Sequence, residues 1–437
     1  MSRRVARILV ALALLFPEAA LASVTTHPVP LQTSECQAAP GDASSIAGHV
    51  LFEYVVETSG GVDRIKLLYA DVRPPEKQPA LVADLTACIR TFKFRPATVD
   101  GAPAATLMKA AFHRLPPTAD PDQVLLPDGQ TVSQALIRQM RAATLTFTEA
   151  LLKGPDYKEA QGNGWRVRTD LPKSALDDVQ GAIGFARRAL DEALPGRSGS
   201  GATAETQDVT LILFKDQEKY RQLSAFDNLI PERAPTLGEY DPQFRLIYSA
   251  AGDRPILFFA RVMAHEATHH FLEQRLQAAP APLPRWLNEG MAQFIECLKP
   301  SKSGTVRLDA LDRGNVEQMG ALMGREGAQQ GTFVWKKRVE AALADLRENL
   351  SEVDVAALVD GGLDRHFFDE HGESLYDVSW LLVHFLMNGE DGRHRDAFRA
   401  WVLDAGAAKS AATLAAATAI PAADLPARLR EHLARLR

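Results

Sequence analysis

An H-E-x-x-H pattern occupies residues 265–269 and combines two histidines with a glutamate. Apolar residues recur around it with helical spacing, so we predict a helix over residues 256–276. His265 and His269 then lie on one helical face, where both imidazoles can reach a single zinc ion. Glu266, beside that face, can act as a base toward a water in the remaining coordination position. The pattern predicts metal-assisted hydrolysis.

A third candidate ligand, Glu289, follows twenty residues after His269. The proline-rich run at 279–284 ends the first helix, and the apolar residues within 286–295 predict a second helix that packs on it. Antiparallel packing of the two helices can bring Glu289 to the metal. Catalytic zinc sites keep three protein ligands and leave the fourth position to water, whereas structural sites close it with protein. Two histidines and one carboxylate therefore favour a catalytic site.

The two segments together resemble the gluzincin metallopeptidases, in which H-E-x-x-H is followed some twenty residues later by W-L-x-E-G-x-A-x-x-x-E. Every fixed position of that pattern is filled in this chain. The resemblance implies that His265, His269 and Glu289 bind zinc and that Glu266 is the general base. It also implies that the carboxylate of Glu296 orients one of the ligand histidines.

A tyrosine opens a strongly apolar segment far downstream. Residues 374–386 have the apolar spacing of a buried helix, with Tyr376 near its start. In related gluzincins a tyrosine at the head of such a helix donates a hydrogen bond to the oxyanion of the transition state, so the resemblance makes Tyr376 a candidate catalytic residue. Such a tyrosine can equally pack in the core and satisfy its hydroxyl locally, and the sequence leaves both roles open. For His384, on the same helix, we favour a place in the core over an oxyanion role.

Two apolar, β-branched segments precede the H-E-x-x-H helix. Residues 208–214 and 244–250 are bounded by turn residues and predict strands of a small sheet beside the helices. This order of elements resembles the peptidase-MA-like proteins of the bacterial envelope over residues 164–388. In gluzincins the strand just before the zinc-binding helix is an edge strand that pairs with an extended peptide substrate, which implies this role for residues 244–250. The segment around Glu239 lacks the G-x-M-E-N signature of the related aminopeptidases, so we expect an endopeptidase.

The first residues have the pattern of a secretory signal peptide. Three arginines precede an apolar run at 8–16, and the A-x-A motif at 20–22 offers a cleavage site before Ser23. The apolar run is shorter than the roughly twenty residues that a spanning helix needs, and no later segment approaches that length. We therefore expect a periplasmic or secreted protein with no integral membrane segment after cleavage.

The charge balance weighs against nucleic acid as a partner. The chain of 437 residues has 49 Lys and Arg against 55 Asp and Glu, a formal net charge of -6. Cleavage after residue 22 removes three Arg and one Glu, which changes the net charge from -6 to -8. An acidic chain without basic clusters lacks a surface for a phosphate backbone, so we expect no nucleic-acid partner.

Three cysteines are too few for a disulfide scaffold. Cys36 and Cys88 both fall in the amino-terminal part, and an oxidising compartment would allow them to pair. The sequence leaves this pairing open. Cys297 follows Glu296 on the second helix and is one position off the face that carries the carboxylates, so we predict a buried thiol rather than a zinc ligand.

The amino-terminal part predicts a separate ββαβ module that ends at a proline-rich break near residues 115–121. The predicted elements are strands over 49–58 and 62–70, a helix over 79–92 and a strand over 104–113. The stretch 92–103 resembles the carboxy-terminal domain of TonB-like proteins, where F-x-P-A-x-x-x-G precedes the last strand. The resemblance covers residues 45–115 and implies a protein-binding module or a structural unit. The chain lacks the retained anchor and long spacer of TonB itself, which weighs against energy transduction.

The predicted fold class is α+β, with five parts along the chain. They are a signal peptide (1–22), the TonB C-terminal-like module (45–115), a connector with one helix over 132–152 (116–163), the gluzincin-like domain (164–388) and a C-terminal helical segment (389–437). The predicted function is hydrolysis of a peptide or protein substrate, with Zn²⁺ as cofactor. Two alternatives remain open. One is a zinc-retaining pseudopeptidase scaffold, and the other is an adaptor that binds an envelope protein through the TonB-like module.

Overall fold

The chain forms two compact units. The first comprises Met1–Pro121 with Gln222–Pro235, and the second comprises Asp122–Arg221 with Thr236–Arg437. The computed structural model describes residues 25–26, 28–32, 46–99, 101–114, 123–125, 131–162, 164–195, 208–227, 237–276, 283–299, 305–309, 355–360, 372–404 and 409–435. The predicted signal peptide, Cys36 and the proline-rich break lie outside the described residues.

Strands and helices are numbered here in chain order within the described residues. The strands are β1 (Thr25–Thr26), β2 (Val29–Gln32), β3 (Ala47–Val56), β4 (Val62–Arg73), β5 (Lys93–Arg95), β6 (Ala97–Val99), β7 (Ala102–Ala104), β8 (Thr106–Arg114), β9 (Gln123–Leu125), β10 (Thr131–Ser133), β11 (Lys158–Gly162), β12 (Trp165–Thr169), β13 (Val209–Phe214), β14 (Gly238–Asp241) and β15 (Leu246–Ala250). The α-helices are α1 (Gln78–Ile89), α2 (Gln134–Leu152), α3 (Lys173–Ala193), α4 (Gln217–Asp227), α5 (Ile256–Arg275), α6 (Arg285–Glu296), α7 (Val355–Val359), α8 (Gly372–Asn388), α9 (Arg395–Leu403), α10 (Ala411–Thr418) and α11 (Leu425–Arg435).

In the first unit a three-stranded antiparallel sheet, in the order β4-β3-β8, shares a core with helix α1. Alternate residues of a strand point to one face, and every second residue of β3 from Val50 to Val56 is buried in this core. Leu81, Leu85 and Ile89 recur every four residues and form the buried stripe of α1. The predicted ββαβ order is confirmed for these elements. The prediction missed the short strands β5, β6 and β7, which occupy the stretch before β8.

The second unit contains a five-stranded sheet in the order β11-β12-β13-β15-β14. The three central strands are parallel, and the two outer strands pair antiparallel to their neighbours. All residues of β13 and β15 are buried, which is the pattern of strands covered on both faces. The predicted strands over 208–214 and 244–250 are confirmed.

The expectation that residues 244–250 form the edge strand is wrong. Strand β15 is hydrogen-bonded to β13 on one side and to β14 on the other, so β14 is the outermost described strand at that side. The cause is a tight turn before β15. Asp241 Oδ1 accepts hydrogen bonds from the backbone amides of Gln243 and Phe244, at 2.7 and 2.9 Å, and folds β14 back along β15. The chain therefore reaches the outer position before β15 begins.

Helices α5 and α6 pack against each other, α3 packs on α5, and α8 packs on α6. The predicted helices over 256–276 and 374–386 are confirmed as α5 and α8. At the carboxy terminus, Leu425, Leu429 and Leu433 of α11 belong to the same core as the two central helices. The apolar stripe of α11 is therefore buried.

The described residues form a mixed α and β protein with several small sheets, which agrees with the predicted α+β class. None of the described helices combines the length and the apolar character that crossing a membrane requires.

Candidate metal centre

Helices α5 and α6 both begin directly after a proline, Pro255 and Pro284 respectively. Proline has no backbone N–H to leave unpaired at a helix start, and its fixed φ suits that position. The two helices are also joined across their contact, since Arg261 Nη1 on α5 donates a hydrogen bond of 3.0 Å to the backbone oxygen of Glu296 on α6. This pairing holds the H-E-x-x-H face of α5 opposite the inner face of α6.

Gly290 allows α6 to approach α8 closely. A Cβ atom at this position would lie 2.5 Å from the backbone oxygen of Ser379 and 2.8 Å from Cγ2 of Val383. No side chain larger than hydrogen fits there without a shift of the backbone. The glycine next to Glu289 is therefore a packing requirement, and it fixes the height at which Glu289 faces α5.

The structure brings His265, His269 and Glu289 together in one cluster. Their candidate ligand atoms all lie within 4.8 Å of one another. Glu289 Oε2 is 3.5 Å from His265 Nε2 and 3.6 Å from His269 Nε2. Ligand atoms about 2.0–2.1 Å from a tetrahedral zinc lie roughly 3.4 Å apart, so the two distances from Glu289 are close to those that a bound zinc ion would require. Among the described residues, no other three His, Cys, Asp or Glu side chains converge in this way.

The outer nitrogen of each candidate histidine ligand has its own partner. His265 Nδ1 lies 3.0 Å from Glu296 Oε2, and His269 Nδ1 lies 3.1 Å from Asn288 Oδ1. Both partners are oxygen acceptors, so each Nδ1 carries a hydrogen and each Nε2 points toward the cluster. Glu296 thus lies where the resemblance implied. Asn288 was missed by the sequence analysis, because it occupies an open position of the W-L-x-E-G pattern.

Glu266 is buried beside this cluster. Burial raises the pKa of Glu266 to about 7; nearby His265 opposes this shift, and the carboxylates of Glu289 and Glu239 reinforce it. A carboxyl group with this pKa can both accept and return a proton near neutral pH. Its neighbour Glu239 lies on β14 and is itself buried.

The three candidate ligands differ in their preference for charge. Burial disfavours a proton on His265, but its hydrogen bonds with Glu289 and Glu296 prevail and raise the pKa of His265 well above its usual value. Burial lowers the pKa of His269, although Glu289 opposes the shift. Burial would raise the pKa of Glu289, but the two histidines outweigh it and lower that pKa. The carboxylate that completes the cluster is therefore ionised at neutral pH.

The remaining candidates lie on α8 or next to α6. Tyr376 is in the first part of α8, and its side chain lies outside the described part of the structure. His384 is buried in the core, where its Nδ1 lies 2.8 Å from Nε2 of His432 on α11. Cys297 is a buried thiol, as predicted.

Strand β14 runs along α5 next to the cluster. A Cβ atom on Gly238 would lie 3.0 Å from Val262 Cγ1 and 3.2 Å from Glu266 Cγ, so the strand backbone passes close to the candidate base.

No known family model matches the chain, and no curated protein is significantly similar to it. Its function is therefore inferred from the residues and geometry of this site.

Proposed function

We propose that this chain is an exported, zinc-dependent endopeptidase of the gluzincin type. The observation that supports this best is the convergence of His265, His269 and Glu289, whose candidate ligand atoms lie within 4.8 Å of one another, with Glu289 Oε2 at 3.5 and 3.6 Å from the two Nε2 atoms. The hydrolysis also needs a base, and Glu266, next to His265 on the same helix, takes this role. Both signals from the sequence, the H-E-x-x-H pattern and the W-L-x-E-G pattern, contribute ligands to this one cluster.

In this proposal the side chains divide the work of hydrolysis. Zinc, when bound by the three ligands, would polarise the scissile carbonyl and activate the attacking water. Glu266 takes the proton of that water and returns it to the leaving amine, a double role that a pKa of about 7 allows. Glu296 and Asn288 hold the ligand histidines in the correct tautomer and orientation. Tyr376 donates a hydrogen bond to the oxyanion.

The finer architecture is part of the same proposal. Residues 164–388 correspond to a gluzincin-like domain, which the order of a sheet followed by the α5–α6 pair supports. Residues 45–115 correspond to a TonB C-terminal-like module, which the β3-β4-α1-β8 order supports. Such a module would bind an envelope protein partner. The proposed periplasmic or secreted location rests on the signal-peptide pattern in residues 1–22.

The decisive experiment compares wild type with Glu266→Gln on a peptide library read by mass spectrometry. Glu266→Gln keeps the shape and hydrogen bonding of the side chain but cannot take up the proton, so we expect turnover to fall by at least about a hundredfold. Zinc content, measured by plasma mass spectrometry, should stay at one ion per chain because His265, His269 and Glu289 are intact.

Glu431→Gln, on the exposed surface of α11, is the matched control and should cleave like wild type. Equal turnover by wild type and Glu266→Gln would contradict the proposed mechanism. Stoichiometric zinc without any cleavage by wild type would favour the alternative of a pseudopeptidase scaffold.

A further inference from the structure

A tyrosine of the outer strand β14 is bonded to the helix that carries the candidate zinc ligands. Glu266, His270 and Glu273 are spaced by four and three residues, so they form one ridge along α5. On β14, Gly238 and Tyr240 are two residues apart and point to the same face. Gly238 lies against Glu266, and Tyr240 contacts His270 and Glu273. The strand therefore follows this ridge, next to the face that carries His265 and His269.

The contacts of the Tyr240 hydroxyl determine which group donates each hydrogen bond. Tyr240 Oη donates its single hydrogen to Glu273 Oε2 at 2.5 Å. His270 Nδ1, at 3.1 Å, must then donate its hydrogen to Tyr240 Oη. Burial and the Glu273 carboxylate raise the pKa of Tyr240, so the phenol keeps the hydrogen that this arrangement needs. The ring of Tyr240 also packs edge-on against the ring of His270, with 5.6 Å between the ring centroids.

Other contacts hold β14 to the sheet. Ser249 Oγ donates a hydrogen bond to the backbone oxygen of Leu237, just before the strand begins. At the other end, Asp241 closes the turn into β15. These contacts fix β14 to β15. Toward α5, Gly238 has no side chain, whereas Tyr240, two residues later, is hydrogen-bonded to His270 and Glu273 and so links the strand to the helix.

The outer edge of β14 is the side on which the proposed function places the substrate. Among the described strands β14 pairs with β15 alone, and in the proposed function an extended peptide adds along its other edge by main-chain hydrogen bonds. A peptide bound along this edge passes Gly238 and therefore the candidate base Glu266. The distance between β14 and α5 then determines how far the scissile bond lies from Glu266.

We propose that Tyr240, held by His270 and Glu273, is a positioning residue that sets the spacing between β14 and α5 and so aligns an extended peptide with Glu266. This inference rests on the proposed peptidase function. The hydroxyl of Tyr240 is bonded to His270 and Glu273 rather than to a candidate ligand, so we expect its effect on how substrate is placed and not on zinc binding.

The test compares Tyr240→Phe with wild type, because this change keeps the ring and removes only the hydroxyl. KM for peptides long enough to pair along β14 should rise about three- to tenfold, the effect expected for one lost hydrogen bond. The value of kcat and the zinc content should change little. Amide hydrogen exchange of residues 238–241 should become faster, which reports the loosened strand independently of activity.

Tyr157→Phe is the matched control. The Tyr157 hydroxyl also bonds to a glutamate, Glu159, but it lies next to β11 at the opposite edge of the sheet. We expect this variant to keep the wild-type KM and amide exchange. Glu273→Gln, which retains an oxygen acceptor for Tyr240, should also stay close to wild type, whereas Glu273→Ala should behave like Tyr240→Phe.

Three results would overturn the inference. The first is a wild-type KM and wild-type exchange in Tyr240→Phe. The second is a loss of zinc together with kcat, which would make Tyr240 a structural residue of the metal site. The third is a wild type that binds zinc but cleaves no peptide; this removes the proposed function and the substrate role with it, while the exchange data still show whether Tyr240 holds the strand.

Discussion

At the level of single residues, the candidate centre depends on which nitrogen of each histidine faces inward. Glu296 and Asn288 occupy the two Nδ1 atoms, so both Nε2 atoms are left for the ion. The two partners differ in charge. A carboxylate supports the raised pKa of His265, whereas the hydrogen bond of His269 with the neutral amide of Asn288 does not overcome the effect of burial, which lowers the pKa of His269. The inner ligand Glu289 remains ionised between them.

The role of Asn288 leads to a prediction on zinc affinity. Asn288→Ala removes the acceptor that orients His269, so we expect zinc affinity to fall about 10- to 100-fold while the fold is retained. Competition with a chromogenic chelator measures the change. Asn288→Asp retains an oxygen acceptor and should bind zinc at least as tightly as wild type. An Asn288→Ala variant with wild-type affinity would show that α5 alone orients the ring.

At the level of elements, the site depends on how closely α6 can approach α8. Gly290 is the point of contact, and it lies next to the ligand Glu289 on the same helix. The prolines before α5 and α6 fix where each helix starts, and the Arg261 bond to Glu296 joins them at the far end of α6. The relative positions of the candidate ligands therefore depend on how the helices pack.

Gly290→Ala tests this packing. The added methyl would collide with the backbone of Ser379, so we expect a loss of stability of about 1–3 kcal/mol and weaker zinc binding. Gly181→Ala is the control, because Gly181 lies within α3 with nothing within 4 Å of a new Cβ atom. That change should stabilise the protein by about 0.5–1 kcal/mol, since alanine favours helix more than glycine. Urea unfolding measures both, and equal effects would contradict the packing argument.

The contact between α8 and α11 predicts a dependence of stability on pH. Burial and the neighbouring His432 lower the pKa of His384 to about 3, and burial and Arg435 lower the pKa of His432 to about 4. In the unfolded chain both histidines titrate near their usual value of about 6.5. The unfolded state therefore binds more protons below that pH. The two neutral histidines of the folded state therefore contribute stability that is complete above pH 6.5. This contribution is lost as the pH falls toward 4, by roughly 1.4 kcal/mol per pH unit for each proton.

The variant His432→Gln isolates this contribution. Glutamine retains a polar partner for His384 Nδ1 but does not titrate, so the decline in the free energy of unfolding between pH 7 and pH 5 should be shallower than in wild type. Other histidines whose pKa is lowered by burial, such as His113 and His270, titrate in both proteins and cancel in the comparison. Urea unfolding at several pH values gives the two slopes, and identical slopes would rule out the pair as the source.

At the level of the whole molecule, the chain combines two compact units that differ in the size of their cores and in their cysteines. The second unit contains the candidate metal centre and a large apolar core. The first has a smaller core and includes Cys88, which is disulfide-bonded. A disulfide of this kind fits an exported protein, because oxidising compartments allow it to persist.

Peptide mapping without reduction tests the disulfide. We expect a linked peptide pair that contains Cys36 and Cys88, and we expect Cys297 to react with an alkylating reagent only after unfolding, because its thiol is buried. The same digest after reduction serves as the control and should release both peptides. Finding Cys88 linked to Cys297 would contradict the predicted pairing.

The sequence alone determined the parts of the site that depend on local spacing. His265 and His269 share a face because residues four apart do so in any helix. The prolines and apolar stripes predicted where α5 and α6 lie in the sequence. Likewise, β13, β15 and α8 could be predicted from their composition. These features follow from a few neighbouring residues, which is why a single sequence is sufficient for them.

Only the tertiary structure decided what depends on residues far apart in the chain. In the folded sheet β14 rather than β15 is the outermost described strand. Strand β15 pairs with β13 on one side, and the short turn between β14 and β15 places β14 along its other side. The place of Asn288 beside His269, and the contact of Tyr240 with His270, are set by how helices and strands pack. Periodicity shows which face of an element is buried, but it does not show which neighbour that face meets.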